Sequence, residues 1–176
     1  TMNAVSPSVG LVVEAGNALE FFGTVGRSFE TPTTTELANR PSGEGGFNPD
    51  LDPQKGLTVE GGVRGTIASR LAVEMSLFHT TLEKSLVPFD VDVASSERTY
   101  YRNAAESRHR GWELSLDGSV ARDLSARVAY TKIDAEFVTF VTNNGDDYSG
   151  NKVPGLAPRR LDGLIVFDPG IGFAEV

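Results

Sequence analysis

The residues of this chain that could do chemistry are two histidines, a group of arginines and an alternating run of carboxylates and amides. His79 and His109 are the only histidines. Neither has a partner at the His-Glu-x-x-His spacing by which imidazoles share a zinc ion, so a solvated or wall-lining imidazole is the plainer reading of both. His79 stands toward the far end of its segment and is a candidate for a ligand vestibule. Arg108 and Arg110, close to Arg102, form a basic cluster whose guanidinium forks suit carboxylate or phosphate groups; a solvated pair is the competing reading. Asn48, Asp50 and Asp52 alternate as in a calcium loop, where successive oxygens ring a hard cation. Pro49 and Pro53 interrupt that pattern, and neither the glycine nor the bidentate glutamate of the template follows. Local backbone hydrogen bonds at a turn-rich strand entry account for these residues better. No Gly-x-Ser-x-Gly elbow, phosphate loop or Cys–His pair is present, and Gly43, Gly45 and Gly46 miss the dinucleotide spacing. The sequence thus offers no catalytic, cofactor-binding or metal-binding set, and an enzyme is not expected.

Charge and hydropathy narrow the partners. The 176 residues carry 16 lysines and arginines against 24 acids, a formal charge of -8, the wrong sign for tracking a phosphodiester backbone, so nucleic acid is not an expected partner. Hydrophobic residues make up 39% of the chain, and no run approaches the roughly 18 apolar residues that a membrane helix needs. A barrel strand turns only alternate residues to lipid, so this composition suits an outer-membrane barrel as well as a soluble domain. The absence of cysteine removes disulfides and thiolate metal sites and leaves the compartment open. Residues Thr1 to Ser8 lack the basic and apolar regions of a signal peptide, and the last apolar stretch, Ile171 to Val176, is short. The chain reads as an internal piece, cut at both ends.

The elements that must position these residues are short strands of strict alternation. Leu57, Val59 and Val63 oppose Thr58, Glu60 and Arg64; Leu71, Val73, Met75 and Leu77 oppose Glu74 and Ser76; Trp112, Leu114 and Leu116 oppose Glu113, Ser115 and Asp117; Leu124, Ala126, Val128 and Tyr130 oppose Ser125, Arg127 and Thr131. Each strand then has one apolar and one charged face. Glu20, Glu60, Arg64, Glu74, Glu113, Asp117 and Arg127 share the polar face and could pair across strands. Phe21, Phe78, Tyr100, Tyr101, Trp112, Tyr130 and Phe167 are candidates for an aromatic girdle. Turns are expected at Gly16–Asn17, Ala68–Arg70, Ala121–Asp123 and Asp168–Gly170, and long polar connections at Phe29–Gly56, Lys84–Glu97 and Asn143–Pro158. Short and long connections alternate, as in a barrel with short periplasmic turns, near Gly16, Ser69, Arg122 and Gly170, and long extracellular loops. The expected fold is all-β: an antiparallel transmembrane barrel segment of about eight strands.

Several stretches together resemble one family, the TonB-dependent outer-membrane receptors. They are Gly26-Arg27-Ser28-Phe29-Glu30-Thr31-Pro32-Thr33 with Glu36-Leu37, then Asn48-Pro49-Asp50-Leu51-Asp52-Pro53-Gln54-Lys55, then Glu60-Gly61-Gly62-Val63-Arg64. Leu77-Phe78-His79-Thr80, Tyr101-Arg102-Asn103-Ala104, Arg110-Gly111-Trp112-Glu113-Leu114 and Val153-Pro154-Gly155 with Pro158-Arg159 follow in the family's order. The resemblance covers nearly the whole chain. It implies that residues 1–176 are part of a plugged barrel of about 22 strands, without the plug domain and the final strands. It further implies a place in the outer membrane of a Gram-negative bacterium, in contact with its lipid. The function implied is binding and import of ferric siderophores or other iron chelates, with energy relayed by the TonB complex through the plug. Ligand specificity would reside in the loops Glu30–Lys55, Lys84–Glu97 and Asn143–Ala157, with His79, Arg102, Arg108 and Arg110 as vestibule candidates.

Two other architectures fit the residues alone. A soluble β-sandwich binding module, for carbohydrate as one example, would also alternate, and a complete small outer-membrane barrel would also hold about eight strands.

Overall fold

The computed structural model describes residues 5–38, 40, 46–89, 99–142, 145–170, 172 and 174–175. Gly43, Gly45, the whole segment 90–98, Asn143 and the outermost residues of both termini lie outside this set. Eight strands form one antiparallel sheet whose spatial order is the chain order: β1 (Ser8–Ala15), β2 (Leu19–Glu30), β3 (Gln54–Ile67), β4 (Leu71–Phe89), β5 (Tyr100–Ala121), β6 (Leu124–Phe140), β7 (Arg159–Phe167) and β8 (Ala174–Glu175). Among the described residues there is no second sheet against which a sandwich could close, and β1 does not pair with β8, so neither a two-layer module nor a closed eight-stranded barrel is formed. Among the described residues almost nothing is buried: the apolar ones shielded from solvent are Leu51, Val87, Tyr100, Ala105 and Ala135. A soluble fold of this length would hide a continuous core.

The strands follow the alternation. Cross-strand rows such as Phe21–Val63–Met75–Leu114–Tyr130–Leu161 are apolar throughout, while the adjacent row Glu20–Arg64–Glu74–Ser115 is polar. Leu11 is 68% exposed, Leu77 59% and Leu161 70%, although β-branched and aliphatic residues on one face of a sheet in water would normally be covered. Short turns join β1 to β2 at Gly16 (φ 69°), β3 to β4 at Ala68 and Ser69 (φ 49° and 55°), and β7 toward β8 at Gly170 (φ 79°). In the last, the Asp168 side chain accepts from the Gly170 N–H at 3.0 Å. These turns step along the register. The row through Leu19, Gly65, Val73, Leu116, Val128 and Gly163 runs close to the first turn and progressively farther from the later ones.

Four sequence expectations change. β2 and β3 extend to Glu30 and from Gln54, which shortens the first loop, and that loop contains a single helical turn, α1 (Thr34–Leu37), in an otherwise all-β chain. Thr33 caps it through a capping box, its hydroxyl accepting from the Glu36 N–H while the Glu36 carboxylate accepts from the Thr33 N–H at 2.6 Å. Lys84 to Phe89 is strand rather than loop, since β4 passes through an irregularity between Leu82 and Ser85, with Lys84 at φ 58°, and keeps pairing with β5 up to Phe89–Tyr100. β5 runs for 22 residues, and its pairing with β6 shifts register between Glu106 and Ser107. Phe78 and Tyr100 leave the girdle: Phe78 is in the polar-face row of Thr24, Glu60 and Gly111, and Tyr100 is buried at the long-loop end, 4% exposed.

Candidate functional site: the two faces of the wall and its outer rim

The polar face holds its charges in pairs. Arg64 Nε donates to Glu20 at 2.7 Å, and its guanidinium carbon lies 5.8 Å from the centroid of the Phe22 ring. Arg127 Nε donates to Asp117 at 2.5 Å, and Thr131 donates to Glu113 at 3.2 Å. Farther from the short turns the same face becomes neutral: Thr58 and Thr80 share a hydrogen bond of 2.9 Å, and Ser107 Oγ lies 3.1 Å from His109 Nε2. Two glycines let aromatic rings lie flat on this wall. A Cβ on Gly62 would meet the Phe22 ring of its cross-strand partner, and one on Gly111 would meet Phe78 Cζ at 2.7 Å and the Lys132 carbonyl. Such cross-strand glycine–aromatic pairs cover backbone that a glycine leaves bare.

The opposite face carries the apolar band. It ends abruptly toward the long loops, where Trp112 and Tyr130 stack with centroids 5.0 Å apart. Counting outward in steps of two from each apolar row brings a polar or charged residue on successive strands: Arg27, Lys55, His79, Arg110, Lys132 and Arg159. An apolar belt closed by an aromatic girdle and then by charge is the profile of a surface that leaves hydrocarbon and enters a headgroup layer.

The vestibule candidates do not converge. His79 and Arg110 are direct cross-strand partners in the row of Val59 and Asp134, and Arg108 is opposite Thr81 and Glu136, so all three share the face of the apolar band. The Arg108–Arg110 cluster is neutralised there. Arg108 pairs with Glu136, Arg110 lies 3.2 Å from Asp134, and Lys152, reaching over from the third loop, pairs with Asp134 and lies 3.6 Å from Glu136. Hydrogen bonding to Asp134 raises the Lys152 ammonium above its ordinary pKa. Arg102 stands apart, opposite Val87, and donates to the Val141 carbonyl at 3.0 Å. Of the two histidines, His109 is the one on the polar face.

At the long-loop end the chain fastens its own loops. Asn103 on β5 is the central clamp: its Oδ1 accepts from the Asp52 N–H at 2.7 Å, and its Nδ2 donates to the carbonyls of Asp52 at 2.8 Å and Lys84 at 2.6 Å. Lys84 Nζ closes the same junction on Asp52 at 2.5 Å, and this hydrogen bond, with the Lys84 charge behind it, holds the Asp52 carboxyl below the usual range. Beneath it Leu51 and Asn48 are 2% and 4% exposed, and Asn48 Oδ1 accepts from the Asp50 N–H at 3.1 Å. Asn48 thus makes a local Asx turn, and Asp52 a lysine pair. The junction encloses a cleft of about 420 Å³ lined by Asp50, Asp52, Lys84, Tyr101 and Arg102. Residues 145–158 are tied back onto β6 by Gly150 N–H to Phe137 O at 2.7 Å and Val153 N–H to Ala135 O at 3.0 Å, with the Tyr148 ring 5.6 Å from Phe140. Sequence reasoning singled out the Asn48–Lys55 and Tyr101–Ala104 stretches separately. That they meet through Asn103 was not visible, because the two are 51 residues apart.

Comparison with known proteins agrees with this geometry. The family model described as TonB dependent receptor-like, beta-barrel, matches residues 1–173. The metal-pseudopaline receptor CntO of Pseudomonas aeruginosa is 27% identical over 137 residues, which cover 77% of this chain and 17% of that receptor. The chain thus spans about a sixth of the length of the curated relatives it matches. Among solved structures, the siderophore receptor PirA from Pseudomonas aeruginosa superposes with a TM-score of 0.71 at 16% identity, over 94% of this chain and 31% of PirA. The ferric-catecholate import receptor Fiu from E. coli superposes with a TM-score of 0.67 at 20% identity, over 93% of this chain and 22% of Fiu. The chain belongs to the TonB-dependent receptor β-barrel family.

Proposed function

We propose that this chain is a segment of the barrel wall of an outer-membrane receptor that binds a ferric siderophore or another metal chelate and imports it with energy relayed by the TonB complex. Residues 1–176 would supply about eight strands of a barrel completed by further strands and filled by a plug domain. The observation that carries the reading is the pairing of family membership with one apolar, uncovered face ending at the Trp112–Tyr130 stack. The short turns then lie in the periplasm and the long loops outside. The relatives named for siderophores or metallophore complexes support the ligand class. Specificity is assigned to the three loops, of which the first is held in place by Asn103 and the third is folded onto β6. A structural role for the wall, rather than catalysis, accords with a family of transport receptors.

The test is chelate binding and whole-cell uptake by the full-length receptor with each loop deleted in turn. Loss of binding in at least one deletion, with the barrel still heat-modifiable on a gel, is expected. Unchanged binding in all three would sink the loop assignment.

A further inference from the structure

On the apolar-band face, Lys132 and Arg159 are directly opposed cross-strand partners, and Trp112 is the partner of Lys132 on its other side. Two like charges placed opposite one another on a sheet repel. The charged neighbours relieve nothing, because Asp134 is already held by Arg110 and Lys152, and Asp162 by Arg160. Among the described residues Lys132 and Arg159 have no ion pair, and both are exposed. They lie in a shallow groove of about 820 Å³ whose lining includes Leu77, Arg110, Trp112, Lys132, Arg159 and the already paired Asp134. The floor below is apolar: Leu114, Tyr130 and Leu161 continue the band from which the two cations rise.

Each part of this arrangement matches one part of a membrane lipid. Lys132 and Arg159 stand two residues beyond Tyr130 and Leu161, about 5 Å higher for a strand rising 3.3 Å per residue at a barrel tilt. That is the step from the girdle to the phosphate layer. An indole ring, two unpaired cations and an apolar row toward the short turns fit a phosphate, its glycan or glycerol linkage and the acyl chain beneath it. We infer that the groove between β5, β6 and β7 is a binding site for a phosphate-bearing lipid of the outer leaflet, with Lys132 and Arg159 on the phosphate. The inference rests on the proposed reading that this face meets the membrane. It differs from the Arg108–Arg110 cluster, whose guanidinium groups are engaged by Asp134 and Glu136.

The experiment uses the full-length receptor reconstituted in nanodiscs of phosphatidylcholine alone or with an equal part of lipid A. Retained lipid A is measured by native mass spectrometry for the wild type, Lys132→Gln/Arg159→Gln and the polar-face control Arg127→Gln. The double variant is expected to weaken retention about 25-fold, from two contacts each worth roughly a factor of five, and the control to leave it unchanged. Equal retention in the double variant overturns the site, and so does full displacement of lipid A by millimolar inorganic phosphate, which marks a free-anion site. The membrane reading has its own readout: quenching by bromine-labelled acyl chains of the fluorescence lost in Trp112→Phe. Quenching with unchanged retention refutes the lipid site alone, while absent quenching refutes the orientation of the wall.

Discussion

The assignment of faces is testable at a resolution of one residue on β5. Leu116 lies between Val73 and Val128 on the apolar face, and its neighbour Ser115 lies between Glu74 and Ala129 on the polar face. Leu116 is four residues from Trp112, so it sits roughly 13 Å along the strand and about 10 Å below the girdle at a typical barrel tilt. That depth is near the middle of the hydrocarbon. An arginine there costs about 2–4 kcal/mol, because its charge must be dragged to an interface or solvated by a bilayer defect. An arginine at Ser115 gains Glu74 as a neighbour and is expected to change stability by less than about 1 kcal/mol. Leu116→Arg and Ser115→Arg in the full-length receptor, folded in phosphatidylcholine vesicles, should be compared by urea titration followed on heat-modifiability gels. The expected gap of about 3 kcal/mol is a factor of more than 100 in the folding equilibrium. Equal losses, or a greater loss for Ser115→Arg, would refute the assignment of the apolar face to lipid and with it the orientation of every strand.

Three further outcomes follow from local geometry. Gly111→Ala should destabilise the barrel by about 1–3 kcal/mol in the same titration, since the new methyl meets Phe78 and the Lys132 carbonyl, whereas Gly163→Ala, with open space around it, should be silent. Asn103→Ala removes the clamp on Asp52 and Lys84; at about 0.5–1.5 kcal/mol per hydrogen bond, amide exchange across residues 48–53 should accelerate at least tenfold while the strands below keep their protection. The Lys84–Asp52 pair makes that loop pH-sensitive in one direction. Because the Asp52 pKa is lowered from 3.8, the folded loop prefers the carboxylate, so the contribution is present above that value and lost as pH falls through the folded pKa. Exchange protection at residues 50–53 should therefore hold from neutral pH to about 5 and weaken below about 4, and Asp52→Asn should abolish that acid limb.

Much of the wall was legible because period-two patterning and turn chemistry act locally. The alternation from Leu71 to Leu77 and from Leu124 to Tyr130 defined two faces, and Gly16 and Asp168-Pro169-Gly170 marked turns by their conformational demands. The same counting, carried past Trp112 and Leu77, places Arg110 and His79 on the apolar face. The nearness in sequence of Arg110 to Arg108 and Arg102 drew attention to a cluster instead. Parity could not have placed Arg102, since the register shift with β4 at Ser85/Leu86 leaves one extra residue on β5 between it and Arg108. The strand Lys84–Phe89 was hidden for a similar reason: Lys84 at positive φ breaks the period and Pro88 reads as a loop residue. The turn at Thr34–Leu37 is too short for any periodicity, and only the Thr33-x-x-Glu36 spacing of a capping box announced it. Asn103, Lys84 and Lys152 act across long sequence separations, where no local pattern exists to reveal them.

The stepped register has a consequence for size. Relative to one cross-strand row, successive short turns fall by about two residues per hairpin, or one residue per strand. With strands about 4.8 Å apart and residues about 3.3 Å along them, that slope is an inclination of roughly 35°. Each strand then occupies about 5.9 Å of circumference, and eight of them about 47 Å of arc. Width is therefore encoded in the offsets between turns and not in any side chain. Two residues inserted into one strand would leave every side chain on its own face, yet they would change the pitch of the wall and so the diameter of whatever passage it encloses.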